Sequence, residues 1–291
     1  MYSFNARHEL IELKTHIFRW FAEHNKKKAI VGVSGGVDSS VTLAVACEVL
    51  GPHNVLAVMM PNYVQEDIAC SHKIIKFCGC DSKTVNIGAA YDALSFAIYG
   101  EMAESICPLG YYDAYRTNTP ARLRMTVLYG ISAVDGGIVL NTCNLSEDVV
   151  GYSTLYGDSV GGYAVLQGFT KTEVKLLGKE LGIPEDLIEK VPTDGMSGTS
   201  DEEKLSRILG IDGFTYDRLD HVIRNGWNDN TQVMFKTDEY NKLFDHFVKN
   251  YFKQAIIHLP HYEPNLKSYF YEVMEKRIED CRRGLTCDNP F

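Results

Sequence analysis

The sequence predicts an α/β fold of three layers, a central parallel sheet with helices on both faces. Two observations predict it. Short apolar runs alternate with segments of helical length, and a paired-glycine turn follows directly on the first of those runs. The 291 residues suffice to bury one substantial core. With no convincing linker, low-complexity tract or repeat, residues 1–291 are expected to form a single domain whose C-terminal part, from about residue 237, is a helical extension.

Taken in order, His8 to His24 carries Leu10, Leu13, Ile17, Phe18 and Phe21 at helical spacing and reads as an amphipathic helix. Ala29 to Val33 is a short apolar strand ending in Ser34-Gly35-Gly36-Val37-Asp38-Ser39-Ser40. Val41 to Leu50 is long enough for a helix and is closed by Gly51-Pro52, and Val55 to Met60 is the next strand, stopped by Pro61. That order is a βαβ unit. Cys70 to Phe77 predicts a helix, Lys83 to Ile87 a strand, and Ala90 to Ile106 another helix. Thr119-Pro120 reads as a helix start, threonine capping and proline first in the helix, with the helix running to about Ala133. Gly136-Gly137 breaks it, and Ile138 to Leu140 is a buried strand ending at Asn141-Thr142. Lys171 to Leu181 is a helix closed by Gly182 and Pro184, and from Asp201 the chain is mostly helical.

Composition narrows the function. Hydrophobic residues at 45% and charged residues at 23% are ordinary for a globular chain, and a net charge of −9 argues against a surface for long nucleic acids. The longest apolar stretch, Val41 to Leu50, contains Thr42 and Glu48 and is too short to cross a bilayer. The first residues lack the apolar centre of a signal peptide, so the expectation is a cytoplasmic protein that does not engage a membrane. Of the eight cysteines, only Cys78 and Cys80 lie close together, and C-x-C is neither a zinc nor a redox spacing; free thiols are expected. His258 and His261 form H-x-x-H without other ligands and read as loop histidines.

The chemistry concentrates at Ser34 to Ser40. Paired glycines after a buried strand let the backbone turn tightly, with its N–H groups converging. A helix beginning at once adds its free N–H groups and positive dipole end, and Ser34, Ser39 and Ser40 add hydroxyls. The product is a nest for a polyphosphate or pyrophosphate. Asp38 would repel phosphate unless Mg²⁺ lies between them. The loop has no G-K-[ST] and no G-x-G-x-x-G, so it is neither a Walker A site nor a dinucleotide fingerprint.

These residues resemble the pyrophosphate loop of the ATP pyrophosphatase superfamily, whose fold is Rossmann-like, of the adenine nucleotide alpha-hydrolase type. The loop alone does not choose among its NAD synthetases, GMP synthetases, asparagine synthetases and tRNA-modifying members. Later segments do. Asn118-Thr119-Pro120-Ala121-Arg122-Leu123-Arg124-Met125 resembles the N-x-x-A-R-x-R-M helix of NAD synthetases, and Asn141-Thr142-Cys143-Asn144-Leu145-Ser146-Glu147 their G-T-x-N-x-S-E segment. Gly151-Tyr152-Ser153-Thr154-Leu155-Tyr156-Gly157-Asp158 is similar to G-Y-x-T-K-Y-G-D. Lys171 fits the start of their L-x-K-x-x-V helix, Lys190-Val191-Pro192-Thr193 fits K-x-P-T, and Asp201-Glu202-Glu203-Lys204-Leu205 fits D-E-x-x-L.

The resemblance implies ATP-dependent amidation of deamido-NAD⁺ with ammonia, through an adenylated intermediate, giving NAD⁺, AMP and pyrophosphate. It implies ATP contacts from Gly32, Val33, Ser34, Gly35, Gly36, Val37, Asp38, Ser39, Ser40, Thr142, Lys171 and Thr193, and deamido-NAD⁺ contacts from Asn118, Arg122, Asp158 and Lys253. Asp38 and Glu147 would hold Mg²⁺, and Asp38 and Lys171 would act in catalysis. A homodimer is implied, fed by free ammonia or by a separate glutaminase, since the chain has no room for a glutaminase domain of its own. Physical reading of single residues is less decisive. Lys171 is the best cation for the phosphates because the loop has none, while Glu147 also suits a helix N-terminus. Arg122 and Arg124 are two apart on a helix, so at most one faces a ligand; Arg122 is taken for the substrate and Arg124 as structural.

The match departs from the family at three places. Leu155 stands where the family has a substrate-contacting lysine, Ser206 to Gly213 looks like a short insertion before Phe214-Thr215-Tyr216, and of the family's C-terminal His-Lys pair only Lys253 offers a counterpart. Two rival readings follow, a tRNA-modifying enzyme of the same superfamily and a nucleotide sensor without turnover.

Overall fold

The computed structural model describes residues 3–100, 111–191, 199–226, 235–256, 259–264 and 266. Five parallel strands form its sheet: β1 (Ala29–Gly32), β2 (Val55–Met59), β3 (Asp81–Thr84), β4 (Ile138–Asn141) and β5 (Tyr163–Ala164), in spatial order β3-β2-β1-β4-β5. The register sets Ala29 beside both Val55 and Ile138. The chain steps outward from β1 through β2 to β3, then returns to place β4 on the other side of β1. The crevice beyond the carboxyl ends of β1 and β4 is therefore the switch point where open parallel sheets bind ligands.

The helices are α1 (Ala6–Glu23), α2 (Val37–Leu50), α3 (Ile68–Cys78), α4 (Gly88–Tyr99), α5 (Tyr111–Asp135), α6 (Leu145–Val150), α7 (Lys171–Glu180), α8 (Glu185–Ile188), α9 (Asp201–Leu209), α10 (Tyr216–Asn225) and α11 (Thr237–Ile256). One apolar cluster joins α1, α2 and α7 to one face of the sheet through Leu13, Ile17, Val41, Val45, Val174 and Leu177. A second covers the other face, with Ile30, Val58, Val139, Met125 and Leu128. A third, centred on Val149, Leu205, Leu219, Ile223 and Phe247, belongs to α6, α9, α10 and α11. Layers with helices on both sheet faces are what the sequence pattern predicts.

Several boundaries differ, each for a local reason. The helix after the glycine turn begins at Val37, not Val41, because the loop supplies its own first turn: Ser40 N–H donates to the Gly36 carbonyl at 3.1 Å. The expected strand at Lys83–Ile87 sits earlier, at Asp81–Thr84, because this edge strand is exposed along its length and apolarity does not mark it. The helix start expected at Thr119-Pro120 is not one. Helix α5 already runs from Tyr111 with Pro120 inside it, and the turn before the proline is anchored by Tyr115, whose ring lies 5.6 Å from Tyr91 and 5.2 Å from Tyr99 of α4. Tertiary packing there outweighs the hydrogen bond a proline forfeits. Helix α4 is described as far as Tyr99, and the rest of the expected Ala90–Ile106 helix lies outside the described residues. Strand β5 has two residues and no sequence signal; Ala164 N–H donates to the Pro260 carbonyl at 2.9 Å, so a late segment borders that edge.

Cys47, Cys70, Cys78, Cys80 and Cys143 are free thiols, as expected of them. Among the described residues, no helix is long and apolar enough to cross a membrane. An ion pair inside the protein ties α10 to α7. Arg224 Nε and a terminal guanidinium nitrogen meet both oxygens of Glu173 at 2.8 and 2.6 Å, each side chain 3% exposed. Removing one partner strands the other charge in a dry site. Arg224→Met is expected to cost about 3–5 kcal/mol of unfolding free energy in urea denaturation; a loss below about 1 kcal/mol, the size of an exposed ion pair, contradicts this.

Candidate active site

The loop after β1 is built by glycine and serine acting on the backbone. Gly35 adopts φ +81°, and a Cβ there would lie 2.8 Å from the Cβ of Cys70 and 2.9 Å from the backbone nitrogen of Ser71, so only glycine fits. Gly36 is the extended cap of α2. The serine hydroxyls brace the turn from within: Ser39 Oγ donates to the Gly36 carbonyl at 3.1 Å and accepts from Ser34 N–H at 3.3 Å, and Ser40 Oγ donates to Gly36 at 2.8 Å. Gly36 N–H in turn donates to Ser34 Oγ at 3.3 Å. The N–H groups of Val37, Asp38 and Ser39 lie in the first turn of α2, where a helix offers them no intrahelical acceptor. Gly32 and Val33 belong to the strand end beneath, and Gly32 packs too closely on Met60 and Leu128 to carry a side chain without displacement.

Asp38, in that first turn, meets residues from the far side of the switch point. Lys171 Nζ donates to Asp38 Oδ2 at 2.5 Å and to Glu147 Oε1 at 3.0 Å, and Asn144 Nδ2 donates to Asp38 Oδ1 at 2.8 Å. Lys171 is the first residue of α7 and Glu147 lies in the first turn of α6, so three helix N-termini converge. Glu147 divides its carboxylate between tasks. Oε2 accepts from Asn144 N–H in a capping box, and Oε1 takes the lysine. The helix-start reading of Glu147 thus holds in its geometry, and its other oxygen meets Lys171.

Lys171 is only 4% exposed, against 17% for Asp38 and 14% for Glu147. Burial alone would lower its pKa, but the two carboxylates outweigh burial and hold the ammonium above its ordinary value. Burial pushes the Glu147 carboxyl up, Lys171 pulls it down, and nearby Asp38 adds to the rise. The cluster holds two carboxyl groups to one ammonium, and both acidic side chains keep partial exposure. Two carboxylates with room for phosphate oxygens are the donor set Mg²⁺ uses, so these residues fit that ion.

The remaining assigned residues fall in two groups. Asn118, Arg122 and Asp158 come together around the 154–158 turn. Thr154 Oγ1 donates to Asn118 Oδ1 at 3.0 Å, Thr154 N–H to Asp158 Oδ1 at 2.6 Å, and Arg122 Nε to the Leu155 carbonyl at 3.2 Å. Arg124 turns the other way, half-buried, with its Nε donating to the Met60 carbonyl at 3.0 Å. Thr142 follows β4 beside the cluster, in the Asn141–Asn144 connection. Thr193 and the side chain of Lys253 lie outside the described residues.

Three residues join the site that sequence reasoning did not place there. Asn144 reaches Asp38, and its signal was its position as cap before a Ser-Glu pair. Lys190 pairs with Asp67 and donates to the Gly35 carbonyl at 3.5 Å, putting a second cation against the loop. The Tyr216 ring lies 5.4 Å from Lys171 Nζ, within cation–π reach, and its hydroxyl is buried without a hydrogen-bond partner among the described residues.

Comparison with known proteins gives the family. The NAD synthase family profile matches residues 10–256. The chain belongs to the NAD synthase family. Among curated relatives, the NH₃-dependent NAD⁺ synthetase of Trichlorobacter lovleyi is 36% identical over 207 residues, covering 68% of this chain and 67% of that protein. The corresponding Pyrococcus furiosus enzyme is 31% identical over 210 residues, covering 72% and 76%. Among solved structures, NMN synthetase from Francisella tularensis superposes with a TM-score of 0.73 at 24% identity, covering 89% of this chain and 99% of the other. As a member of the NAD synthase family the chain is an ATP-using ligase of NAD biosynthesis. The α/β sheet with flanking helices is that of NAD synthetase structures, in agreement with the sequence.

Gly35→Ala adds strain at a positive φ and a clash with α3. It is expected to weaken ATP binding about tenfold or more by calorimetry with the fold retained; unchanged affinity contradicts the account of the loop.

Proposed function

We propose that this chain forms NAD⁺ by amidating deamido-NAD⁺ with ammonia at the expense of ATP. The observation that carries the proposal is the meeting of Lys171, Asp38 and Glu147 at the switch point, with Asp38 itself in the first turn of α2. Relatives named NH₃-dependent NAD⁺ synthetase, of which about two thirds or more is covered, support the substrate and the nitrogen donor.

In this reading the nicotinate carboxylate oxygen attacks the α-phosphorus of ATP. An acyl-adenylate forms, and the bond to pyrophosphate breaks. Ammonia then adds at the acyl carbon, AMP leaves, and a proton is released. The amides of Val37, Asp38 and Ser39 with the dipole of α2 receive the leaving pyrophosphate, whose charge grows as the bond breaks. Lys171 neutralises charge at the same place, and Asp38 and Glu147 hold it there and keep it protonated. Asp38 and Glu147 would be the residues to hold Mg²⁺, which would supply further neutralisation of the phosphates. Asn118, Arg122 and Asp158, gathered at the 154–158 turn, form the substrate side, with Leu155 offering its carbonyl to Arg122 in a segment where the family has a lysine. No proton acceptor need be a side chain, since positioning and electrostatics carry the rate. A homodimer fits the exposed Phe96 and Ile98 of α4 and Tyr129 and Val134 of α5.

A second reading is amidation of nicotinate mononucleotide, favoured by the likeness to the Francisella tularensis protein named NMN synthetase and by Leu155 in place of the lysine. Turnover of ATP labelled at the α-phosphate, with ammonium and either deamido-NAD⁺ or nicotinate mononucleotide, decides. Higher kcat/KM for deamido-NAD⁺ with AMP as labelled product is expected. A preference for the mononucleotide selects the second reading, and release of ADP defeats both. Lys171→Met and Asp38→Ala are each expected to lower kcat by about a hundredfold or more.

A further inference from the structure

We infer that Asp220 is a positioning residue for Lys171, holding the lysine-bearing and glutamate-bearing helices at the separation their side chains require. This rests on the reading of Lys171, Asp38 and Glu147 as the reacting cluster. Asp220 lies on α10, away from the loop after β1, and is 4% exposed. It touches none of the three cluster residues' charged groups. Both of its oxygens are nevertheless committed to their immediate neighbours.

Ser146 Oγ donates to Asp220 Oδ1, and that same hydroxyl oxygen accepts the N–H of Lys171 at 2.9 Å. Ser146 directly precedes Glu147 in the chain. Asp220 Oδ2 accepts both the N–H and the hydroxyl of Thr172 at 2.8 Å each. Thr172 directly follows Lys171. One carboxylate therefore grips the first turn of α6 and the first turn of α7 together, and the chain Asp220–Ser146–Lys171 N–H fixes where the lysine backbone starts.

Lysine has a flexible four-carbon stem, so its ammonium goes where packing and backbone direct it. Here it must meet Asp38 at 2.5 Å and Glu147 at 3.0 Å at once. A shift between α6 and α7 breaks that fork. Glu173 of α7 and Asp217, His221 and Arg224 of its own helix line one cleft with Asp220. Arg224 is paired with Glu173, and the Asp220 oxygens accept from Ser146 and Thr172. Burial raises its carboxyl to about 6, and the donors from Ser146 and Thr172 work against that rise. A buried carboxylate kept for hydrogen bonds alone is costly where an apolar residue would pack as well. Its placement is accounted for by a need for three directed acceptor contacts at one point.

The experiment is steady-state amide formation by Asp220→Asn, Ser146→Ala, Lys171→Met and the Lys171→Met/Asp220→Asn double variant, with thermal midpoints measured alongside. Asparagine keeps the size but turns one acceptor into a donor, facing the hydroxyl of Ser146. The expected result is a kcat about a hundredfold lower with KM for ATP within about twofold, as for an interaction felt in the transition state. Ser146→Ala, which leaves the Thr172 contacts in place, is expected to fall in the same sense by about tenfold, and it serves if Asp220→Asn does not fold. The double variant should be no slower than Lys171→Met, because Asp220 acts through that lysine. A kcat near wild type for Asp220→Asn or Ser146→Ala, or losses that multiply in the double variant, overturns the inference while the cluster reading stands. Wild-type rates for Lys171→Met defeat the cluster reading and the inference with it.

Discussion

A single ammonium group, almost sealed from water, is shared by two carboxylates that come from different connections of the sheet. Asp38 belongs to the turn after β1, Glu147 to the segment after β4, and Lys171 to a later helix packed behind both. Neither carboxylate could be left at this depth without the cation, and the cation could not be left without them. The constraint propagates outward. α7 must approach α2 closely, which Gly178 permits, since a Cβ there would already lie 3.2 Å from Val41. The N-terminus of α6 must be held by a capping box, and α10 must pack across both.

That arrangement explains how one fold can present phosphate-binding amides and a lysine without either cancelling the other. A lysine inside the loop would fill the nest it is meant to serve. Delivered from α7, it arrives from the side, restrained by carboxylates, while the loop remains open. Lys190 repeats the device on the opposite flank, restrained by Asp67 as it reaches the Gly35 carbonyl. Both lysines near the turn, Lys171 and Lys190, are leashed to acidic groups.

The sequence exposed those parts of the molecule whose signals are local. Ser34 to Ser40 could be read as a phosphate turn because glycine, serine and the flanking apolar run each state a backbone requirement in place. The alternation of strands and helices was equally plain from periodicity. Less legible were features decided by distant packing. Nothing near Pro120 announces that Tyr115 will anchor an extra turn before it. Nothing near Asp81 marks a strand whose side chains are all exposed. Asn118, Arg122 and Asp158 were grouped only by resemblance, since their meeting depends on how the 154–158 turn folds back on α5. Asp220 and Tyr216 gave no signal at all, because an aspartate or a tyrosine on an amphipathic helix looks like any other until its partners are known.

The contact of Ala164 with Pro260 has a bearing on biogenesis. During synthesis on the ribosome, β5 emerges long before the segment that borders it. Until residues around 260 leave the exit tunnel, the edge of a nascent sheet stays open to strands of neighbouring chains, and its shielding falls to chaperones or to speed of elongation.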